Sequence, residues 1–183
     1  MKKLALAILA ATALSATAAQ ADEAFDSFRN FCIAGRGASA ATLAAADAAA
    51  WQPVPQQFLG QLPQTDFKNA QGRMRSTAGG AALLLTATGN LPGVGAVKVC
   101  AIGVVPAGTS DLSGQLQAFT GVARQSAPNL PEGFYVWRDV NGSRASVDRT
   151  APDFTAQFAG GALLATTRST PQMTMIMLMS AAQ

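Results

Sequence analysis

Cys32 and Cys100 are the only cysteines in the 183-residue chain, so one covalent bond between them would decide how the segment before residue 32 sits on the segment around residue 100. The N-terminus argues that the bond forms. Lys2 and Lys3 precede an apolar run over residues 4–14, and small residues then lead to Ala19-Gln20-Ala21, the plan of a secretory leader with an A-x-A cleavage site. Cleavage after Ala21 exposes Asp22 rather than a cysteine, so lipid attachment at the new terminus is not expected. An exported chain matures where thiols oxidise. A Cys32–Cys100 disulfide closing a loop of about 70 residues contributes roughly 4 kcal/mol through chain entropy, near the upper end of what such bonds deliver. The alternatives, a pair of buried thiols or a redox couple, fit less well, because redox pairs usually sit close together as C-x-x-C.

Charge narrows the partners. The 13 lysines and arginines include Lys2 and Lys3 of the leader and stand against 10 acidic residues, so the mature chain is close to neutral. With no long basic run it carries no electrostatic footprint for nucleic acid or an anionic membrane. No stretch after the leader has the roughly 18 continuous apolar residues of a spanning helix, so no membrane span is expected after cleavage. Residues 22–183 suit a single domain.

Periodicity supplies the elements. Phe25, Phe28 and Cys32, with Phe31 beside them, form the apolar stripe of a helix that Gly35-Arg36-Gly37 stops. Ser39 is placed to cap an alanine-rich helix reaching Trp51, with Leu43, Ala50 and Trp51 on one side, ended by Pro53 and Pro55. Residues 52–70 read as a long loop tacked down by Phe58, Leu59, Leu62 and Phe67. Residues 72–88 are extended, with a buried strand over 81–88; the turn at 90–95 makes a hairpin with the strand in which Cys100, Ile102 and Val104 share a face. Ser110 or Asp111 caps a helix bearing Leu112, Leu116, Phe119 and Ala123, ended by Pro128.

Asn141-Gly142 then predicts a two-residue hairpin between strands 133–140 and 143–149, since both turn residues tolerate the positive φ this turn demands. The turn sets Val140 opposite Ser143, Asp139 opposite Arg144, Trp137 opposite Ser146 and Tyr135 opposite Asp148. One face then carries Phe134, Val136, Val140, Ala145 and Val147 as core, and the other Tyr135, Trp137, Asp139, Arg144 and Asp148 as the more exposed side.

Two apolar runs, 158–166 and 173–179, close the chain. Ala78-Gly79-Gly80-Ala81 and Ala159-Gly160-Gly161-Ala162 start similar series about half the mature chain apart, although alanine and glycine of low complexity produce such matches too. The order of elements predicts an α+β fold: an antiparallel sheet of about six strands with helices on one face, readable as a degenerate duplication of a helix-then-three-strands unit with halves 22–107 and 108–183.

The absence of histidine removes histidine bases, histidine-containing triads and most zinc centres from consideration. Lys68 and Lys98, the two lysines after the leader, lie in no S-x-x-K motif. Gly35-Arg36-Gly37-Ala38-Ser39-Ala40 spells a dinucleotide fingerprint, but a helix precedes it where that fingerprint needs a strand, so it reads as a helix break. No catalytic residue and no cofactor is assigned. Asp66, Asp139, Asp148 and Asp153 are the carboxylates that acid–base chemistry would have to bring together.

Met173, Met175, Met177 and Met179 fall on one face of a strand. Thioethers suit Cu(I), yet alternate strand positions stand about 7 Å apart, too far for neighbours to share one ion unaided. A core or an apolar groove is the more natural use of such adaptable side chains. Tyr135 and Trp137 beside Asp139 and Arg144 form a second candidate surface, of the kind that binds partners, sugars or peptides, unless a helix or the 52–70 loop covers it.

The leader, the Phe28-x-x-x-Cys32 helix, the alanine-rich helix ending in Trp51 and the Cys100 strand resemble small exported proteins of unknown function from Gram-negative bacteria, mainly over residues 22–105. The resemblance implies a periplasmic location and carries over no catalytic residue. The expectation is a non-catalytic, disulfide-stapled binding or interaction protein whose partner is an apolar small molecule, a glycan or an envelope protein. The alternatives are a carboxylate-dependent envelope enzyme acting on glycan or peptide, and Cu(I) binding by the methionine strand.

Overall fold

The computed structural model describes residues 23–59, 67–77, 79–107, 111–127 and 130–182; the expected leader and Asp66 lie outside these residues. The described helices are α1 (residues 23–33), α2 (Ser39–Ala48), α3 (Gln56–Leu59), α4 (Leu112–Thr120) and α5 (Phe154–Ala159). The strands are β1 (Gln52–Pro53), β2 (Lys68–Thr77), β3 (Gly80–Leu91), β4 (Gly95–Val105), β5 (Gln125–Ala127), β6 (Leu130–Val140), β7 (Ser143–Ser146), β8 (Leu163–Ser169) and β9 (Thr174–Ala181). All pair antiparallel in one sheet, ordered β1-β2-β3-β4-β9-β8-β6-β5, with β7 sharing the outer edge of β6 with β5. The class is α+β.

At the centre Ile102 of β4 lies between Leu84 of β3 and Ile176 of β9, all three fully buried. The strand from Val97 to Val104 reads as a nearly unbroken apolar run because both faces of the sheet are covered there. The topology is matched on either side of the β4–β9 pair: β2-β3-β4 is one three-stranded run and β6-β8-β9 the other.

One face packs under α1, α2 and α4. Phe25, Phe28, Phe31, Trp51, Leu112 and Leu116 meet Leu84, Cys100, Ile102 and Leu178 there in a single buried cluster. Phe31 and Trp51 stand edge to face at 5.4 Å and Phe25 and Phe119 at 5.8 Å, geometries that suit the charge distribution of the rings. Cys32 and Cys100 are bonded, with Cα atoms 5.4 Å apart, so the end of α1 is tied to the middle of β4. Over Phe28–Ile33 α1 widens into a π turn in which Ala34 N donates to Arg29 O and Gly37 N to Cys32 O, five residues back. A Cβ on Gly35 would stand 2.5 Å from Thr42 Oγ1 and 2.7 Å from Phe31 O, so only glycine lets α2 close onto this turn.

The sheet has nine strands rather than about six. β1 and β5 are additional, and the stretch that reads as extended over 72–88 is two strands, the largely polar β2 (KNAQGRMRST) starting at Lys68 and pairing antiparallel with β3. The polar side chains of β2 are used: Arg73 Nε and Nη2 donate to the two carboxylate oxygens of Asp47 on α2 at 2.5 and 3.0 Å, while Arg75 pairs with Glu23 and lies over the Trp51 ring. Helices are not confined to one face either. The run expected as a strand over 158–166 begins as α5, whose Phe154 and Phe158 pack on the far side of the sheet against Val97, Val99, Phe134, Val136 and Leu164. Ala38 rather than Ser39 occupies the cap position of α2, and the helix ends at Ala48; Ala50 then adopts a φ of 60° and Trp51 turns into the core.

Two predictions follow from the ties between layers. Replacing both cysteines by serine is expected to remove about 4 kcal/mol of unfolding free energy, read from urea denaturation, and an unchanged midpoint would show that the loop is not held by the bond. The hydrogen bonds from Arg73 hold the Asp47 carboxyl below its ordinary value of 3.8. A depressed folded-state pKa contributes stability that is present above the unfolded value and lost as pH falls through the lower one. Asp47→Asn is therefore expected to lower the urea midpoint at pH 7 and to approach the parent protein as the pH is taken below 3.8; a gap of the same size at all pH values would place its cause elsewhere.

Candidate functional site

The Asn141-Gly142 hairpin forms in the expected register, with Val140 opposite Ser143, Asp139 opposite Arg144 and Trp137 opposite Ser146. The ladder stops before Asp148. That carboxylate accepts hydrogen bonds from Thr150 N and Oγ1, each 2.8 Å, which bend the chain away and hold its pKa low. Gln125 of β5 spans the gap, donating to Val147 O and accepting from Arg149 N.

The aromatic surface expected here is corrected. Tyr135 and Trp137 are each 1% exposed, inside the cluster under α1 and α4. Tyr135 Oη reaches Ser113 on α4, with 3.4 Å to both the hydroxyl and the carbonyl oxygen. β6 is covered on both faces, Phe134 and Val136 by α5 and Tyr135 and Trp137 by the helices opposite, so the rule of one buried and one open face does not apply. Val140, expected in the core, sits exposed beside the turn. Asp139 and Arg144 are also at the surface, but occupied. Asp139 lies 3.8 Å from both Arg36 and Arg144, Arg36 Nη2 donates to Gly161 O, and Arg144 stacks over Phe119 while donating to its carbonyl oxygen. These contacts fasten the hairpin to α4 and to the turn after α1. They leave no open aromatic platform.

A predominantly apolar hollow lies on the methionine face; wider and more polar ones lie beside Phe154 and Thr155 and beside Glu23 and Arg75. Met173, Met175 and Met177 border a cleft of about 220 Å³ on the face of the sheet opposite the disulfide, whereas Met179 packs with Met177 toward the α5 cluster. The cleft exists because its floor is made of small residues. Ala101 and Gly103 follow one another on this face of β4, and Ala87 and Ala70 lie alongside on β3 and β2. Met173 bends over Gly103, its sulfur 2.8 Å from where a Cβ would stand. Leu85, Leu59 at the end of α3 and Phe67 make the opposite wall. Phe67 is 37% exposed and Phe58, one residue before Leu59, 54%, so the rim itself is apolar.

A single charged residue lies in the described lining. Arg168 stands on β8 directly opposite Met175 and makes no hydrogen bond or ion pair among the described residues. Thr170 beside it is engaged, its Oγ1 bonded to both the backbone N and O of Met173 in the turn between β8 and β9. The lining adds no cysteine to the three thioethers, and methionines at alternate strand positions remain about 7 Å apart, an arrangement better matched to an extended apolar ligand than to a single Cu(I) ion.

The candidate carboxylates among the described residues do not gather in this cleft. Asp139 is held by two arginines, Asp148 by Thr150, and Asp153 accepts from Gln157 Nε2 at 2.9 Å. No helix among the described residues is long and apolar enough to cross a membrane. Sequence reasoning found the methionine row but not Leu59, Ala101 or Arg168 as its companions. The available signal was the pair of small residues on alternate positions of an otherwise bulky strand. Comparison with family models, with curated proteins and with solved structures finds no match to this chain.

Proposed function

We propose that this is an exported, disulfide-stapled binding protein that works without catalysis and takes a small apolar molecule into the cleft over Ala101. The observation that carries the reading is a concave, predominantly apolar lining on a rigid sheet, with adaptable methionines along one wall and one polar anchor, the usual make-up of a small-molecule site. Its volume of about 220 Å³ suits a compact ligand or a single chain rather than a folded partner. The leader, the Cys32–Cys100 bond and the resemblance to small exported proteins support a periplasmic setting, where apolar molecules in transit need shelter from water.

A fluorescent naphthylamine that brightens in apolar surroundings is expected to bind the mature, oxidised protein. Ala101→Leu, which places a side chain in the middle of the floor, is expected to weaken that binding at least ten-fold while circular dichroism and the disulfide stay as in the parent. Equal binding by the two proteins would exclude the cleft as the site.

A further inference from the structure

We infer that the ligand is a single-chain carboxylate amphiphile, an unbranched fatty acid of about ten carbons, whose head is held by Arg168 and whose chain runs along the methionine row. This rests on the cleft being a binding site and goes on to name what fills it.

Alternate residues of β8 face the cleft side of the sheet. Leu164 pairs with Met179, Thr166 with Met177 and Arg168 with Met175, so a guanidinium ends a row that is otherwise apolar or internally satisfied. Thr166 is buried and spends its hydroxyl on Gly133 O at 2.7 Å. Arg168 is exposed and, like Arg124, Arg138 and Arg149 but unlike Arg29, Arg36, Arg73, Arg75 and Arg144, has no carboxylate partner among the described residues; of these four only Arg168 borders the cleft. An arginine without a carboxylate partner among the described residues, at the mouth of an apolar cleft, offers a planar fork of donors that a carboxylate can accept in two parallel hydrogen bonds. One guanidinium balances one negative charge. A phosphate monoester carries closer to two, so the charge on the page matches a carboxylate better.

The dimensions select the tail. From Met173, in the turn just before β9, to Met177 four residues at roughly 3.3 Å each span at most about 13 Å, the length of an extended chain of about ten carbons. A volume of about 220 Å³ admits one such chain and leaves no room for the second chain of a diacyl lipid. Flexible thioethers let the wall follow the chain without a fixed shape to match.

Calorimetric titration of the mature, oxidised protein with decanoate, decanol and decyltrimethylammonium, each below its aggregation limit and at one ionic strength, tests this. Decanoate is expected to bind about ten-fold tighter than decanol, and the ammonium compound weaker than both. Arg168→Gln is expected to bring decanoate down to decanol while leaving decanol unchanged, and Arg168→Lys to restore part of the difference. Shortening the acid is expected to cost about four-fold in affinity per methylene. If decanoate and decanol bind alike and Arg168→Gln changes neither, the head-group assignment is overturned and the apolar site survives. If none of the three binds while the naphthylamine does, the fatty-acid class is wrong; if the naphthylamine also fails to bind, the cleft is not a site at all.

Discussion

The bond between Cys32 and Cys100 joins the end of a helix to the middle of the central strand, and both layers of the molecule are referred to that point. Because α1 is anchored over β4, its Phe25, Phe28 and Phe31 are delivered to the same face as Tyr135 and Trp137, and the aromatic mass of the protein collects on one side of the sheet. The arginines of β2 then fasten the periphery of that layer, Arg73 to α2 and Arg75 to the start of α1. A side that is covalently pinned, aromatic and crosslinked by ion pairs has little freedom to rearrange. Binding is left to the other side.

That other side is filled unevenly. Near the turn between β3 and β4 it lies under α5, whose Phe154 and Phe158 complete a second core and whose Thr155 donates to Gly93 O at 2.8 Å, with an open and more polar hollow between α5, that turn and Gln125. Toward the turn between β8 and β9, small side chains on β3 and β4 leave the cleft. Ala87 and Val99 belong to both regions, so the apolar surface continues from packed core to open site without a polar border. This continuity gives the cleft a rigid floor while the methionines along its side remain half-buried and free to adjust.

Local chemistry was legible wherever a residue type leaves few choices. Asn141-Gly142 dictated a register that the structure reproduces pair by pair to Ser146, and two cysteines in a chain expected to be exported pointed to the one bond that forms. Layering was less legible. The four consecutive residues Phe134-Tyr135-Val136-Trp137 lack the polar alternation of a half-exposed strand, and that run was the sign that both faces of β6 are covered. β2 reads as extended from residue 72 but not as a separate paired strand, since its arginines serve contacts with α1 and α2 that no local pattern encodes. Of the site, the methionines stood out as a row, but Ala101 is distinguished only by the volume it does not occupy, and Arg168 by standing at the cleft without a carboxylate partner among the described residues. Neither property is visible before the neighbours are in place.

The matched topology gives the cleft a further meaning. In strand order β4, β3 and β2 on one side of the Ile102–Ile176 pair answer to β9, β8 and β6 on the other. The β3–β4 turn that α5 packs beside answers in that order to the β8–β9 turn that Thr170 and Met173 form. Between β6 and β8 the chain makes a detour through β7 and α5; between β2 and β3 it turns back within a few residues and supplies no helix. The hollow has only the single turn of α3, through Leu59, where the other run of strands has α5, so a matched strand order with unmatched helices leaves room on one side of the sheet.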